Sequence, residues 1–270
     1  MAFDAESSQA QVDAASQSED RPSAQPSSAA MLAVQLGVTF VLVACCAACA
    51  AWGLPVIVVA VFAALSVLTF VALWPLRADA IARIAALAAG VVSIIIAVLP
   101  VPAGSDGVRV AVSSLATAVV ARWSSALLVL LVLLVVTGFL RQMLREPRTQ
   151  MVRSLSSYVL GGVVALGAGG WVVLARVLYV MHDATEARSA KGSWFVSAAS
   201  PWGAIAVLIA AGALIAAIAL ASRQWRRQWA TAAARPRQDS ASALWLGFGL
   251  LPALLYGLIA FLVAFVALVL

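Results

Sequence analysis

The chain has 270 residues, of which 64% are hydrophobic and only 10% are charged, and its formal net charge is +6. Soluble domains carry about a quarter charged residues, so this chain has too few polar groups to cover its apolar surface in water. Several uncharged runs approach the ~20 residues that a helix needs to cross ~30 Å of hydrocarbon. The composition excludes a soluble globular domain and predicts an all-α, polytopic transmembrane helical bundle.

The N-terminal segment, residues 1–28, has a different composition from the rest. It carries five acids and one arginine among Ser, Gln and Ala, with almost no large apolar side chains. Such a segment cannot bury enough surface to offset the entropy of ordering it. We therefore expect a disordered polar and acidic cytoplasmic tail. It also lacks the basic n-region of a secretory signal.

Residues 29–270 are predicted to form one transmembrane helical domain of about seven spans. One helix over the first two apolar runs would be about 69 Å long, so we expect a hairpin through Gly53 and Pro55 instead. Residues 108–121 are too short to cross, and they form either an interfacial helix or an outward extension of the fourth span. The predicted spans are 29–52, 56–74, 84–101, 123–140, 154–175, 202–222 and 243–270.

Arginine counts predict the orientation of the spans. The loops 75–83, 141–153 and 223–242 would lie on the side of the N-terminus, and that side holds twelve of the seventeen basic residues. Cytoplasmic loops carry an excess of Lys and Arg, so the N-terminus is predicted to be cytoplasmic and the C-terminus extracytoplasmic. The nine tryptophans fall at or near predicted span ends, as expected for interfacial anchors. The Ala, Val and Arg bias is typical of a GC-rich bacterium, which predicts the bacterial plasma membrane.

The basic residues sit mostly in short loops beside apolar runs, so we expect membrane contact rather than nucleic-acid binding. Arginines there resist translocation, and they can also contact anionic lipid headgroups, each worth about 1 kcal/mol. A specific partner or anionic ligand is the alternative. The predicted contact residues are Arg141, Arg145, Arg148, Arg153, Arg223, Arg226 and Arg227.

Two spans carry small residues four apart, which lets helix backbones approach closely in lipid. We expect both stripes to pack against other helices, and we expect Pro252 to kink the last span. The predicted packing residues are Ser157, Gly161, Ala165 and Gly169 in the fifth span, and Gly249, Ala253 and Gly257 in the seventh.

No catalytic, cofactor-binding or metal-ligating residue is predicted. The seven predicted spans contain no ionisable Asp, Glu, Lys, Arg or His side chain, although such residues usually mark ion and proton pathways. His182, Asp183 and Glu186, in a predicted outer loop, make a weak metal set. Leu42–Cys45 resembles a lipobox, but the apolar run continues to Trp52, so the three cysteines (Cys45, Cys46 and Cys49) are expected to pack in a retained helix.

These observations favour a non-enzymatic accessory or scaffold subunit of a membrane complex, with a protein partner or a second copy of the chain in the membrane. The alternative is a transporter or permease component for an apolar or lipid-like substrate. Its path would be lined by Gln35, Thr39 and Tyr256, which are polar residues of the first and last spans. A membrane enzyme would have to use the outer-loop residues His182, Asp183 and Glu186.

Overall fold

A computed structural model of the chain describes residues 28–74, 80–100, 112–144, 151–188, 220 and 241–269. Within these ranges the regular elements are all helices. We number the six of them α1 (Ser28–Trp52), α2 (Ile57–Ala72), α3 (Ala80–Val98), α4 (Val112–Met143), α5 (Met151–Arg188) and α6 (Ala241–Val269). The predicted tail at 1–28 lies outside the described residues, apart from Ser28, which begins α1.

Five of these helices are long enough and apolar enough to cross a membrane. Their candidate spans are Ala30–Cys49, Ala80–Val98, Leu115–Met143, Leu155–Val180 and Leu246–Val266. The apolar helix α2 has only 16 residues, which is shorter than the ~20 that a perpendicular crossing needs. The predicted span at 202–222 lies outside the described part of the chain, except for Leu220. The chain is thus a helical, multi-pass membrane protein.

The bundle is built around α5, which contacts each of the other five helices and packs most extensively against α3. In an apolar 18-residue stretch of its candidate span, 67% of the residues are buried, against 22% for such a stretch of α4 and 28% for one of α1. The sequence of α5 explains this position, because residues 161–170 (GGVVALGAGG) include five glycines and two alanines. Small side chains allow close approach from several directions at once.

The contacts between helices fix their relative directions. Gly90 of α3 lies beside Ala165 of α5, and the carbonyl of Ala97 accepts a hydrogen bond from Arg176, so α3 and α5 run parallel. Helix α4 runs opposite to them, because Leu134 meets Gly162 while the earlier residue Trp123 meets Gly169.

Helices α5 and α6 also run parallel. Their backbones touch in one register, in which Gly167 faces the carbonyl of Leu254 and Gly170 faces the carbonyl of Gly257. Equal steps of three residues in the same sense on both helices define parallel packing. Residues 151 and 241 therefore lie at the same end of the bundle.

The predicted hairpin between the first two helices is present. Helix α1 ends at Trp52 and α2 begins at Ile57, and Gly53 has φ 63°, a left-handed conformation that glycine adopts without a steric penalty. Pro55 follows, and its carbonyl accepts a 3.0 Å hydrogen bond from the Val58 amide. Glycine after the first helix and proline before the second together produce the turn.

Helices α4 and α5 extend furthest beyond their predicted spans. Residues 112–121 continue α4 in one helix, so they extend it rather than form a separate interfacial helix. Helix α5 continues from Ala175 to Arg188, so the predicted outer loop at 176–201 begins as helix. The candidate spans of α3, α4 and α5 are longer than the predicted ones and include arginines that the predicted spans leave out: Arg83, Arg122, Arg141 and Arg176.

Four tryptophans have described side chains, and three of these are buried in the protein. Trp52, at the end of α1, is exposed, but Trp74, Trp123 and Trp171 are almost fully buried in the protein. Trp171 lies nine residues before the end of its candidate span, and its indole donates to the Ala253 carbonyl at 3.2 Å. These three indoles pack between helices.

We predict that Gly257→Ala and Gly170→Ala lower the thermal stability of the detergent-solubilised protein, or prevent its folding. A Cβ at either position would collide with backbone oxygen of the facing helix, and forced overpacking costs about 1–3 kcal/mol or more. The matched control is Gly37→Ala in α1, where a Cβ meets nothing within 4 Å. A melting temperature for the Gly257 variant equal to that of the Gly37 variant would contradict the packing described.

Candidate functional site

Two arginines from neighbouring helices bond to backbone carbonyls at the end of α3. The last amide of this helix to find an intrahelical acceptor is that of Leu99, which donates to Ile95 at 2.9 Å. The next residue, Pro100, has no N–H. The carbonyl of Ile96 is therefore left without a helical partner, at the end of a candidate membrane span. A buried carbonyl without a partner costs about 1–3 kcal/mol.

Arg122 reaches this helix end from α4. Its Nη2 donates to the carbonyl of Ile96 at 2.8 Å and also to that of Leu99. Its Nη1 donates to the carbonyl of Pro100 at 3.0 Å. The acceptor that Pro100 leaves unpaired, Ile96, is thus bonded by a side chain from the neighbouring helix.

Arg176 reaches the same helix end from α5. Its Nη1 donates to the carbonyl of Ala97 at 2.9 Å and to that of Val98 at 2.6 Å, and it also contacts the carbonyl of Leu99. Between them, the two guanidinium groups bond five successive carbonyls, from residue 96 to residue 100. We call Arg122 and Arg176 together the arginine pair.

The C-terminus of α3 offsets only part of the positive charge of the arginine pair. A helix C-terminus carries roughly half a negative charge, and the pair carries two positive charges that share the Leu99 carbonyl as an acceptor. Two positive charges that share one acceptor repel each other. The site is therefore a concentration of positive charge at the end of the bundle where α3 ends.

A second set of contacts, all between neutral groups, ties the helices together. The Trp123 indole donates to the Ser93 hydroxyl at 3.2 Å, and Ser93 donates to the Leu166 carbonyl at 3.0 Å, which links α4, α3 and α5. The Gln35 amide donates to the Tyr256 hydroxyl at 2.7 Å, which links α1 and α6. The polar side chains of these interfaces bond to protein.

The small residues predicted in the fifth span face α3 and the end of α2. Gly161 lies under the ring of Trp74, and Gly169 faces Ser93 and Trp123. Ala165 is fully buried beside Gly90, and Ser157 is partly buried.

The small residues predicted in α6 meet two different helices. Gly249 faces Val34 of α1, and Gly257 faces Gly167 of α5. Ala253 is fully buried, and its carbonyl accepts the hydrogen bond of Trp171. Pro252 lies inside α6, which continues through it.

The sequence missed a second set of small residues in α5. Gly162 accommodates Leu134 of α4, while Gly167 and Gly170 contact the backbone of α6. The signal was the glycine density itself, since five glycines in ten residues leave small residues on several faces of the helix.

Two of the seven predicted arginine contact residues lie in described helices. Arg141 is partly buried in the last turn of α4, and Arg153 lies in the first turn of α5, where its side chain is outside the described set. The remaining five fall outside the described residues: Arg145, Arg148, Arg223, Arg226 and Arg227.

The other residues singled out in the sequence are partly described. The three cysteines are free thiols in α1, with Cys46 and Cys49 buried, and Cys46 contacts the Trp171 carbonyl at 3.6 Å. His182, Asp183 and Glu186 belong to α5, but their side chains lie outside the described set. Within the part of the chain that is described, no three His, Cys, Asp or Glu side chains come together to hold a metal ion.

The arginine pair is the feature that sequence reasoning did not find. The fourth predicted span begins at Trp123 and the fifth ends at Ala175, so each stops one residue short of an arginine. The available signal was that apolar sequence continues past both arginines, as in Val177–Val180.

Comparison with known proteins adds no further guide to the site. No protein-family model, curated protein or solved structure matches this chain.

We predict that Arg176→Gln and Arg122→Gln each lower the free energy of unfolding by about 1–3 kcal/mol, because each strands carbonyls of α3 that lose a charged donor. The measurement is thermal or denaturant unfolding in detergent. Arg83→Gln, an exposed arginine in α3, serves as the control and should change stability by no more than about 0.5 kcal/mol. Equal effects at positions 83 and 176 would show that charge alone, and not capping of α3, accounts for the loss.

Proposed function

We propose that this chain is a non-enzymatic accessory or scaffold subunit of a membrane complex. The observation that carries the proposal is that two buried polar side chains, Ser93 and Gln35, bond to the protein itself. Ser93 and Gln35 are almost fully buried, and each holds two or three helices together. The arginine pair likewise bonds to α3. A subunit that acts by association needs a fixed interior of this kind.

The same contacts weigh against a permeation path through the centre of the described bundle. A path would present polar side chains to water or to a substrate. Gln35 and Tyr256, which were expected to line such a path, are each only 4% exposed and bond to each other. Thr39 donates to the carbonyl of Gln35 within α1 at 2.8 Å.

The proposed location is the plasma membrane of a bacterium, with the N-terminus in the cytoplasm and the C-terminus outside. The support is the arginine distribution, because cytoplasmic loops collect Lys and Arg. The helix directions are consistent with it: residues 151 and 241 lie at the same end of the bundle, and each lies near the end of a predicted cytoplasmic arginine-rich loop. The arginine pair would then lie at the outer face.

Association is tested on the protein extracted from its native membrane with a copolymer that retains lipid. We expect a particle whose protein mass exceeds one copy of 27.9 kDa, containing either a second copy or one partner at fixed stoichiometry. The stoichiometry should stay constant when expression of the chain is varied, because random co-extraction scales with abundance. Single copies without a partner, at every expression level, would contradict the proposal.

Orientation and interior packing are tested by cysteine labelling in a background without the three native cysteines. In intact cells, an impermeant thiol reagent should label a cysteine at 188 and leave cysteines at 148 and 235 unlabelled, because the latter two are predicted to be cytoplasmic. Ser93→Cys should stay unlabelled even in permeabilised cells, since Ser93 is 1% exposed.

Each result of the scan has a distinct meaning. Labelling at 148 or 235 with none at 188 would invert the topology. Labelling of Ser93→Cys from either side would reveal water in the middle of the bundle and would favour the transport alternative.

A further inference from the structure

We propose that the arginine pair binds the phosphate group of an anionic lipid headgroup at the end of the bundle where α3 ends. The pair is a site distinct from the arginine-rich loops discussed above. The inference does not depend on the proposed scaffold role, and its test reads out lipid contact rather than assembly.

The first step of the argument is that donors remain unused. A guanidinium has five N–H donors, and Arg176 engages only its Nη1 with the carbonyls of α3. Its Nε and Nη2 have no partner within the described residues, and they are not among the fully buried polar atoms without partners, whereas the Nε of Arg122 is. The Nε–Nη2 edge of Arg176 is the fork that binds phosphate oxygens in a bidentate manner.

The second step is charge. The six described helices contain two acidic residues, Asp183 and Glu186, both in α5. They lie seven and ten residues beyond Arg176, which is about 10 and 15 Å further along the helix axis. The α3 terminus offsets roughly half of one charge. An anion beside Arg176 would relieve the repulsion between the two guanidinium groups.

The third step is depth. The carbonyls that hold the pair belong to residues 96–100, at the end of the candidate span Ala80–Val98. The end of a span lies where hydrocarbon meets headgroups, and lipid phosphates lie at that level. Arg176 is followed by apolar residues in α5, and Tyr179, one turn further on, is only partly buried. A lipid could thus place its phosphate at Arg176 and its chains along the bundle.

The test is photocrosslinking of the full chain in vesicles of phosphatidylcholine with a minority of phosphatidylglycerol. A benzophenone amino acid replaces Tyr179, and the masses of the lipid adducts are read. We expect the phosphatidylglycerol share of the adducts to exceed its share in the vesicle about tenfold, equivalent to about 1.4 kcal/mol. The same probe in place of Val132, an exposed residue in the middle of α4, should report the bulk composition.

Two variants carrying the probe at position 179 connect the preference to the pair. Arg176→Gln should bring the adducts back to the vesicle composition, whereas Arg83→Gln, on the same helix as the bonded carbonyls but near its other end, should leave the enrichment unchanged. Should Arg176→Gln fail to fold, Arg176→Lys keeps the charge but loses the fork, and it should lower the enrichment. The measurement on the chain with native arginines stands independently of both.

Three results would overturn the proposal. Adducts at position 179 that match the vesicle composition would show that no anionic lipid is selected. Enrichment that survives Arg176→Gln would place the preference elsewhere. Loss of the enrichment on adding inorganic phosphate, but not on adding chloride at equal ionic strength, would assign the site to free phosphate instead of a lipid.

Discussion

The need to satisfy every backbone polar group in hydrocarbon governs this structure, and the end of α3 is where that need is hardest to meet. Pro100, two residues after the end of α3, has no amide donor, so the Ile96 carbonyl has no helical partner. Water would satisfy this carbonyl in a soluble protein. Here the donors come from α4 and α5, so the termination of one helix fixes the positions of two others. The two arginines hold three helices together at one end of the bundle.

Close approach of the helix backbones, together with hydrogen bonds between neutral groups, explains the rest of the packing. Lipid tails are as apolar as leucine, so helices gain little by hiding apolar side chains from lipid. They gain instead from contact between backbones and from neutral hydrogen bonds. Helix α5 supplies both, through its glycine-rich centre and through Trp171, whose indole bonds to α6. Its central position therefore follows from having small residues on several faces, whereas α4, rich in Leu and Val, presents much of its surface outward.

Much of the fold is predictable from the sequence because long apolar runs, glycine–proline turns and proline helix ends have local causes. The hairpin at Gly53 depends on four residues, and a single sequence is enough to predict it. The arginine pair depends on contacts between residues 22 to 79 positions apart. The energetic cost of each arginine can be read from the local sequence, as a charge in an apolar run, but the carbonyls that offset this cost lie on another helix. Ending a predicted span at the first arginine takes account of the cost and not of these carbonyls.

The glycines of α5 predict that this helix is buried, but they do not predict which neighbouring helix each of its faces contacts. Gly161 and Gly162 are adjacent, and the first receives Trp74 while the second receives Leu134. That assignment depends on the large residues of the partner helices, which must each find a gap of the right shape. The sequence therefore predicts that α5 is surrounded by other helices. Which helix each of its faces contacts depends on the large side chains of all the partner helices together. In this bundle the small residues allow close approach of the neighbouring helices, and Trp171 and the two arginines, by bonding to specific carbonyls, determine the register.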